Sequence, residues 1–338
     1  MGFYQVAWFL LVGFLLTVYA VLDGFDLGLG FWYPFLARGE GDRSRLMRSI
    51  GPFWNGNEVW LITGVGALFA AFPVVYATVF SGFYLAMMFV LVALIFRSVA
   101  LEFRFKEDGV PWHVFWDGAF WFGSTLAPIL FGVVMGNILR GISLDTKGQF
   151  AGSFWTLLNP YSLSVGLVAL MMVAFQGALY AALKTDGQLA QRARILARGA
   201  GYGYLVLVVA LTLVSPMAHG HLRANFDHHP LLWTLPVATL AVIVVSLWFE
   251  RRGSINWAFT ASSLSIVTLM ATAGAALFPR LVVNRAEWSQ SLTVANASSS
   301  PLTLKTMFIM TLIGMPLVIG YTVWVYHSFR GKTSQGTY

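Results

Sequence analysis

Charged and amide side chains interrupt two long apolar stretches near the start of the sequence. In AVLDGFDLGLGFWYP, Asp23 and Asp26 lie three positions apart, so they share one face of a helix. In GPFWNGNEVWLITGVGALF, Asn55 and Glu58 have the same spacing. Buried carboxyl groups take up and release protons, and a cluster open to water on one side would serve as a proton inlet. We expect Asp26 and Glu58 to form this inlet, with Asn55 on the face of Glu58 and Asp23 nearer the mouth or fixing an arginine.

Further polar and amphipathic side chains are expected to support these groups. Trp54, Asn57 and Trp60 belong to the second stretch, and Arg97 and Glu102 follow in the segment FRSVALEFRFK. Because all of them fall near the same end of their predicted helices, we expect them to meet at one depth. Arg97 would form an ion pair with a buried carboxylate, since an unpaired charge inside a membrane helix is costly.

Two structural interpretations compete with the proton inlet. Asp23 and Asp26 could reach the membrane surface and pair there with Arg43 or Arg45. The polar residues of the second stretch could instead form only hydrogen bonds between helices. The two glycines of GFDLG (24–28) lie four positions apart, which predicts that another helix approaches this region closely.

Composition places the chain in a membrane. Of its 338 residues, 58% are hydrophobic and only 10% are charged, against roughly 25% charged residues in soluble domains. Apolar runs of about 20 residues, the length of a membrane-crossing helix, fill most of the sequence. The predicted fold class is an all-α polytopic membrane protein with about nine transmembrane helices, arranged as two four-helix bundles and one peripheral helix. The predicted spans are 5–36, 50–72, 76–105, 113–139, 160–184, 199–217, 231–250, 255–278 and 303–329.

These spans are expected to form one integral membrane domain over residues 1–338. GALFAAFP ends the second predicted helix and GAALFPRL ends the eighth, which suggests a duplication with halves at approximately 1–140 and 160–280. The final helix, at approximately 303–329, would lie outside this repeat. Chance similarity of small residues and proline at helix ends is the competing explanation.

The distribution of basic residues predicts the orientation in the membrane. Of the 21 Lys and Arg residues, 14 follow odd-numbered predicted helices, six (Lys147 among them) lie on the side of the N-terminus, and Arg97 is inside a helix. Basic residues concentrate on the cytoplasmic side, so the N-terminus is predicted outside and the C-terminus in the cytoplasm. The net charge of +7 follows from this asymmetry and from contact with anionic lipids, and no nucleic-acid partner is expected.

Histidine and cysteine usage argues against a cofactor held by this chain alone. The sequence has no cysteine, and its six histidines fall in predicted loops or at helix ends. A membrane haem normally takes an axial histidine from the interior of a helix bundle. We therefore expect no haem and no metal in this chain alone, although HGHLRANFDHH (219–229) has a metal-like histidine spacing.

Several motifs occur together along the whole chain. They are DGFDLG, WNGNEVWLITGVGALFAAFPVVYATVFSGFY, the pair Phe96-Arg97, GNILRG, LLNPYSL and the last helix. With them the sequence resembles subunit II of the cytochrome bd-type quinol oxidases. The resemblance implies a respiratory complex in the cytoplasmic membrane of a bacterium or archaeon. Such a complex oxidises quinol and reduces O2 to water with cytoplasmic protons, without pumping.

The same resemblance implies the partners and cofactors. All haems are expected in subunit I, a partner of similar fold against which this chain packs, and a small accessory subunit is a further expected partner. Membrane lipids and quinone complete the surroundings, because some members of the family carry a bound lipoquinone in subunit II. No catalytic residue is expected in this chain itself.

One segment departs from the family pattern. Better-known relatives have WDGNQVW, whose aspartate is assigned to a proton route; this sequence has Asn55 at that position and Glu58 in place of the glutamine. An amide cannot titrate. Either Glu58 takes over the role from the same helix face, or the route through this subunit is altered or absent.

Two other function classes are compatible with buried acids. A proton-coupled secondary transporter would bind its substrate near the middle of the membrane, often at broken helices, whereas these acids are predicted nearer one end. A purely structural partner of subunit I would tolerate loss of the acids.

Overall fold

The computed structural model describes residues 1–145 and 148–333, most of them helical. Lys147, counted above on the side of the N-terminus, lies outside the described residues. The α-helices are α1 (Phe3–Leu36), α2 (Glu40–Ile50), α3 (Trp54–Ala71), α4 (Pro73–Gly82), α5 (Tyr84–Phe103), α6 (Val110–Arg140), α7 (Phe154–Leu157), α8 (Pro160–Lys184), α9 (Gly187–Ala218), α10 (Ala224–His228), α11 (Thr234–Arg251), α12 (Ile255–Leu277) and α13 (Pro301–Ser328). The smaller elements are 3-10 turns at Gly220–Leu222, Pro230–Trp233 and Trp288–Gln290, and an antiparallel pair of strands, β1 (Arg280–Val282) and β2 (Leu292–Thr293).

The prediction of an all-α membrane protein is confirmed. Eight helices in the described residues are long and apolar enough to cross a membrane: α1, α5, α6, α8, α9, α11 with the turn before it, α12 and α13. α3 and α4 make a ninth only when they are taken together as one span, bent by 120° at the break between them. α3 alone does not count as a membrane-crossing helix because its first residues are polar and lower its mean hydropathy.

The predicted helix 76–105 is wrong as one continuous helix. It is interrupted at Phe83 (φ −100°, ψ 25°), which separates α4 from α5. At this break the side chain of Phe150 packs against Gly82, where a Cβ would approach the Phe150 Cβ to 2.8 Å. The interruption therefore coincides with a contact from a distant connection, which the local sequence does not reveal.

Two polar helical segments were also missed, because hydropathy marks only segments that are apolar on all sides. All of α2 except its last residue lies in the predicted connection between the spans 5–36 and 50–72, and α9 begins at Gly187, twelve residues before the predicted start of 199–217. Each segment is amphipathic: α2 buries Leu46, Met47 and Ile50 and leaves its arginines partly exposed.

Glycines bring α1 and α8 into close contact, which confirms the prediction from GFDLG. A Cβ at Gly28 would lie 1.7 Å from the Val173 carbonyl oxygen, and one at Gly177 would lie 2.2 Å from the Gly28 carbonyl carbon. On the same interface, Trp32 Nε1 donates to the Ala174 carbonyl oxygen at 2.8 Å. Within lipid, where helices gain little from the hydrophobic effect, such backbone proximity is a main source of association.

The crossing helices form the two predicted bundles and the peripheral helix. α1, α3, α5 and α6 belong to the first group, α8, α9, α11 and α12 to the second, and α1 and α6 both pack on α8 and so join the groups. α13 lies at the edge, where only Leu304 of its residues is buried. Trp8 Nε1 fixes the start of this helix by donating to the Leu304 carbonyl at 2.9 Å. The proposed duplication of the two groups stays a prediction.

The long connections gather at the N-terminal end of α1. Gln5 Nε2 donates to Ser298 Oγ at 2.9 Å, and Ile142 forms a strand bridge with Asn284. His221 Nε2 contacts a backbone carbonyl at the end of α6 at 2.7 Å. The described parts of 140–159, 218–230 and 279–302 thus share one end of the molecule, as the helix count requires.

At the opposite end, ion pairs hold α2 against α5 and α6. The buried Arg104 guanidinium bonds Glu40 Oε1 through Nη1 at 2.6 Å and Asp117 Oδ1 through Nε at 2.5 Å. The hydrogen bond from Arg104 holds the pKa of Glu40 below its usual range. Tyr33 also donates to Asp117 Oδ1, at 2.5 Å. This network fixes α2 across the ends of the crossing helices.

We expect Gly28→Ala to disrupt the packing of α1 on α8. The new Cβ would overlap a backbone carbonyl, and overpacking of this kind costs about 1–3 kcal/mol or more. Gly13→Ala is the matched control, because nothing lies within 4 Å of a Cβ at that position of the same helix. The measurement is the yield and melting temperature of monodisperse protein in detergent. Equal values for the two variants would contradict the described contact.

Candidate functional site

At the centre of the candidate site, Arg97 of α5 forms a bidentate ion pair with Asp23 of α1. Arg97 Nη2 lies 2.6 Å from Asp23 Oδ1, and Nη1 lies 2.8 Å from Oδ2. Both side chains are completely buried. The planar guanidinium matches a carboxylate in this geometry, and such charge-assisted bonds are strengthened where the surroundings are apolar. Asp23 is therefore the fixed counter-ion of Arg97.

Asp26 lies beside this pair with a different set of partners. Its Oδ2 accepts from Asn57 Nδ2 at 2.8 Å and lies 3.7 Å from Arg97 Nη2. Asn57 also donates to the Leu22 carbonyl at 3.0 Å and accepts from the Tyr326 hydroxyl at 2.9 Å. The other carboxyl oxygen of Asp26, although buried, has no hydrogen-bond partner among the described residues. The amide thus orients Asp26 and leaves one oxygen unbonded.

Glu58 completes the cluster from α3. Its Oε1 accepts from Arg97 Nη1 at 3.2 Å and from Ser98 Oγ at 2.8 Å. The Glu58 side chain is 21% exposed, whereas those of Asp23 and Arg97 are fully buried. Glu58 is therefore the carboxyl group that connects the cluster with the surface of the chain.

Three carboxyl groups share one guanidinium in this cluster. Because Asp23 already neutralises Arg97, a further carboxylate charge in the same buried volume has no cation of its own. Removing an ion from water costs several kcal/mol unless it is paired, and a bound proton is the simplest compensation. The arrangement provides two carboxyl groups, Asp26 and Glu58, that can exchange protons beside a permanent ion pair.

Helix packing directs these side chains towards one another. The spacing of Asp23 and Asp26 puts both on one face of α1. On the far side of α5, a Cβ at Gly123 of α6 would lie 2.2 Å from the Ala93 carbonyl oxygen and 3.0 Å from the Arg97 Cβ. The absence of a side chain at Gly123 therefore lets α6 support α5 where Arg97 projects towards α1.

Two predicted site residues are not part of the cluster. Asn55 and Glu102 are exposed, and within the described residues Glu102 forms no ion pair, so the expected support from Glu102 stays a prediction. Helix geometry gives the reason. Around the axis of α3, Asn57 lies about 100° from Glu58 in one direction, and Asn55 lies about 60° from Glu58 in the other. Around the axis of α5, Glu102 lies about 140° from Arg97. Of the two asparagines, only Asn57 faces α1.

The two predicted site tryptophans, Trp54 and Trp60, lie in apolar surroundings. Trp60 is buried against Leu15 and Tyr19, and its ring meets that of Phe14 edge-on at 6.5 Å. Trp54 is half-buried at the margin of the apolar cluster at the other end of α1.

The alternative in which the α1 acids pair at the membrane surface is wrong. Arg43 Nη1 binds Asp117 at 2.7 Å, and Arg45 binds Asp42 at 3.3 Å and Asp186 at 3.0 Å. Both arginines are thus occupied by acids of other segments. The α1 acids turn inwards to Arg97 instead.

Two members of the site were missed in the sequence. Ser98 follows Arg97 directly and binds Glu58, so its position next to a buried charge was an available signal. Tyr326 lies 269 residues from Asn57 and reaches it only after α13 has packed. No local pattern connects the two residues.

The histidines of this chain do not fit a haem. His113 and His327 lie in the first and last turns of α6 and α13, and the other four lie between α9 and α11. None of them projects from the middle of a crossing helix, where an axial ligand would be needed. No group of three or more His, Cys, Asp or Glu side chains in the described residues could hold a metal ion.

Known proteins resemble this chain over almost its whole length. The profile of the family described as cytochrome bd terminal oxidase subunit II matches residues 4–329. The chain belongs to this family. Cytochrome bd-I ubiquinol oxidase subunit 2 of Escherichia coli K12 is 36% identical, over 97% of this chain and 94% of the relative. Cytochrome bd ubiquinol oxidase subunit 2 of Bacillus subtilis 168 is also 36% identical, over 97% and 96%.

A solved structure of bd oxidase from Geobacillus thermodenitrificans shows the same fold. The TM-score is 0.81 at 18% identity, and the match covers 97% of this chain and 99% of the other. Family membership makes this chain a subunit of a bacterial quinol oxidase complex and a multi-pass membrane protein. The expected family is therefore confirmed, and the transporter alternative is not supported.

We expect Arg97 and Asp23 to be strongly coupled in their effect on stability. Arg97→Gln leaves three acids without a cation, and Asp23→Asn leaves the cation without its main partner, so each should cost on the order of 3–5 kcal/mol. The double variant, which lacks both charges, should lose clearly less stability than the sum of the losses of the two single variants. The measurement is thermal unfolding of the purified oxidase subunit in its complex.

Glu102→Gln serves as the control for this series, because it removes an exposed carboxylate from the same helix. It should leave the melting temperature unchanged. Additive effects of Arg97→Gln and Asp23→Asn would show that the two charges do not depend on each other.

Proposed function

We propose that this chain supplies cytoplasmic protons for O2 reduction to a haem-bearing subunit I, against which it packs. The observation that carries the proposal is the cluster of three carboxyl groups around one buried guanidinium, with Glu58 as its partly exposed member. No haem is assigned to this chain, since its histidines do not fit one. The chemistry on O2 belongs to the partner.

Within the proposed route, the groups have separate tasks. Asp26 and Glu58 carry protons, because both are carboxyl groups beside an ion pair that is already neutral. Arg97 and Asn57 cannot titrate near neutral pH, so they orient the carriers. Tyr326 lies near the end of α13, at the end of the molecule that carries α2, and its hydroxyl donates to Asn57. Tyr326 therefore links Asn57 with that end of the molecule. Protons would pass between the carriers through water or by direct contact.

Exposed polar side chains on α3 support the proposed contact with subunit I. Asn55 is exposed and Glu58 is partly exposed, although both belong to the candidate ninth span. A polar side chain facing lipid is costly, so such residues normally face protein or water. A partner that covers this face would also receive the proton from Glu58. The accessory subunit and the lipoquinone stay predictions from the family.

We expect Glu58→Gln and Asp26→Asn to slow the oxidase while the complex still assembles. Each change keeps the shape and removes the titrating proton, so quinol-driven O2 uptake should fall by roughly 10²–10⁴-fold, or less where water bypasses the group. The measurement is O2 uptake at saturating quinol, together with the haem content of the purified complex. Glu102→Gln should retain full activity.

If both variants assemble with normal haem content and turn over at full rate, the carboxyl groups are structural. The chain would then act as a scaffold, and the proton inlet would lie in the partner. Loss of haem content in parallel with activity would instead show that these side chains are needed for assembly.

We also propose that the end carrying α2 faces the cytoplasm and that the N-terminus lies outside. The support is the excess of arginine and lysine at that end. Because the natural chain has no cysteine, single cysteines report the orientation directly. Gln188→Cys and Ala286→Cys introduce thiols at exposed positions of the two ends. A membrane-impermeant maleimide should label intact cells only at position 286, and both positions after lysis. The reverse pattern would overturn the orientation.

A further inference from the structure

A cavity of about 220 Å³ lies at the end of the molecule that carries α2. Its walls come from the end of α2, the residues just before α3 and the ends of α8 and α13. This volume is far above the roughly 10–15 Å³ that admits one water. The cavity lies where two membrane-crossing helices end, which is the level of lipid headgroups.

Three cationic side chains line the cavity, and no acid does. They are Arg48, Lys184 and Lys332, and neither Asp nor Glu occurs among the described residues of its walls. Within the described part of the chain, none of the three forms an ion pair with a carboxylate. The other arginines of α2, Arg43 and Arg45, are by contrast both paired. The cavity therefore holds positive charge that no anion of the described residues compensates.

Lys184 makes this excess charge costly. It is only 7% exposed, and its ammonium group donates to the carbonyls of Phe329 at 2.6 Å and Gly331 at 3.2 Å. The Phe53 ring centroid lies 5.2 Å from the nitrogen. These partners are neutral, and an ammonium group has three donors, so a further acceptor can still bind. A buried cation is normally compensated by an anion.

The apolar part of the wall indicates what kind of anion fits. The apolar part consists of Phe53 and Phe329, and the polar part includes the hydroxyl residue Thr333 and the cations. A phosphate group attached to an apolar tail would satisfy both parts. Basic pockets at the ends of membrane helices on the cytoplasmic side are typical sites for such headgroups.

We propose that this cavity binds the phosphate group of an anionic phospholipid headgroup, through Arg48, Lys184 and Lys332. The bound lipid would fix the end of α13 and the following residues against α8, because the carbonyls that bind Lys184 belong to that segment. The site is separate from the proposed proton route and does not depend on it.

The test uses the complex as it is purified, with the subunits that accompany this chain. Native mass spectrometry follows titration with phosphatidylglycerol and, as the zwitterionic control, phosphatidylcholine. The test variant is Arg48→Gln combined with Lys332→Gln, which leaves the buried Lys184 in place. The matched control is Lys106→Gln combined with Arg330→Gln, which removes the same charge from exposed positions outside the cavity.

We expect the test variant to bind phosphatidylglycerol roughly tenfold to thirtyfold more weakly, from the loss of two cations near the headgroup. The control variant should bind it like the natural protein, and phosphatidylcholine should bind weakly to all three. Displacement of phosphatidylglycerol by inorganic phosphate at millimolar concentration would support a site that recognises the phosphate group. It would also show that soluble phosphate can occupy the site in place of a lipid headgroup.

Two results would overturn the proposal. Equal affinity of the test and control variants for phosphatidylglycerol would mean that only general surface attraction operates. Loss of a partner subunit from the test variant alone would mean that a protein, not a lipid, covers the cavity. Lys184→Gln is a secondary variant, and its binding is compared only if its melting temperature matches that of the control.

Discussion

A guanidinium and a carboxylate that are both cut off from solvent hold α1 against α5. Neither charge is stable alone in this position, so the packing that brings Arg97 to Asp23 is a condition for the rest of the site. α6 satisfies this condition by presenting Gly123 to α5, and α3 adds Glu58 on the open side. The glycine contact of α1 with α8 then joins this half of the molecule to the other.

Around this pair, the three carboxyl groups differ in their contacts with Arg97. Asp23 binds both terminal nitrogens of Arg97 and is its main counter-ion. Asp26 and Glu58 each have one contact with the guanidinium and neutral partners otherwise. In the proposed proton route, the carriers are therefore the two carboxyl groups outside the bidentate pair.

Sequence patterns predicted those features that depend on one helix at a time. The apolar runs located the crossing helices, GFDLG predicted the close contact, and the spacing of Asp23 and Asp26 predicted their common face. Of the features that depend on two distant segments, the pairing of Arg97 with a buried carboxylate was expected, and most others were missed. Asn57 and Asn55 look alike in the sequence, and only the position of α1 makes Asn57 the partner of Asp26. Tyr326 and the break at Phe83 likewise depend on contacts with distant parts of the chain.

The separation between Asp23 and Arg97 along the chain has a consequence for how the protein is made. The two residues lie 74 positions apart, so at about 5–20 residues per second the first acid waits roughly 4 to 15 s for its partner to be synthesised. During that time α1 carries two acids without Arg97, and Asn57, which lies 31 positions after Asp26, is synthesised only part-way through the wait. The newly made helix would remain in a polar environment, such as the insertion machinery, until α5 arrives. The ion pair that stabilises the finished subunit therefore also sets the earliest moment at which its first helix can be released into lipid.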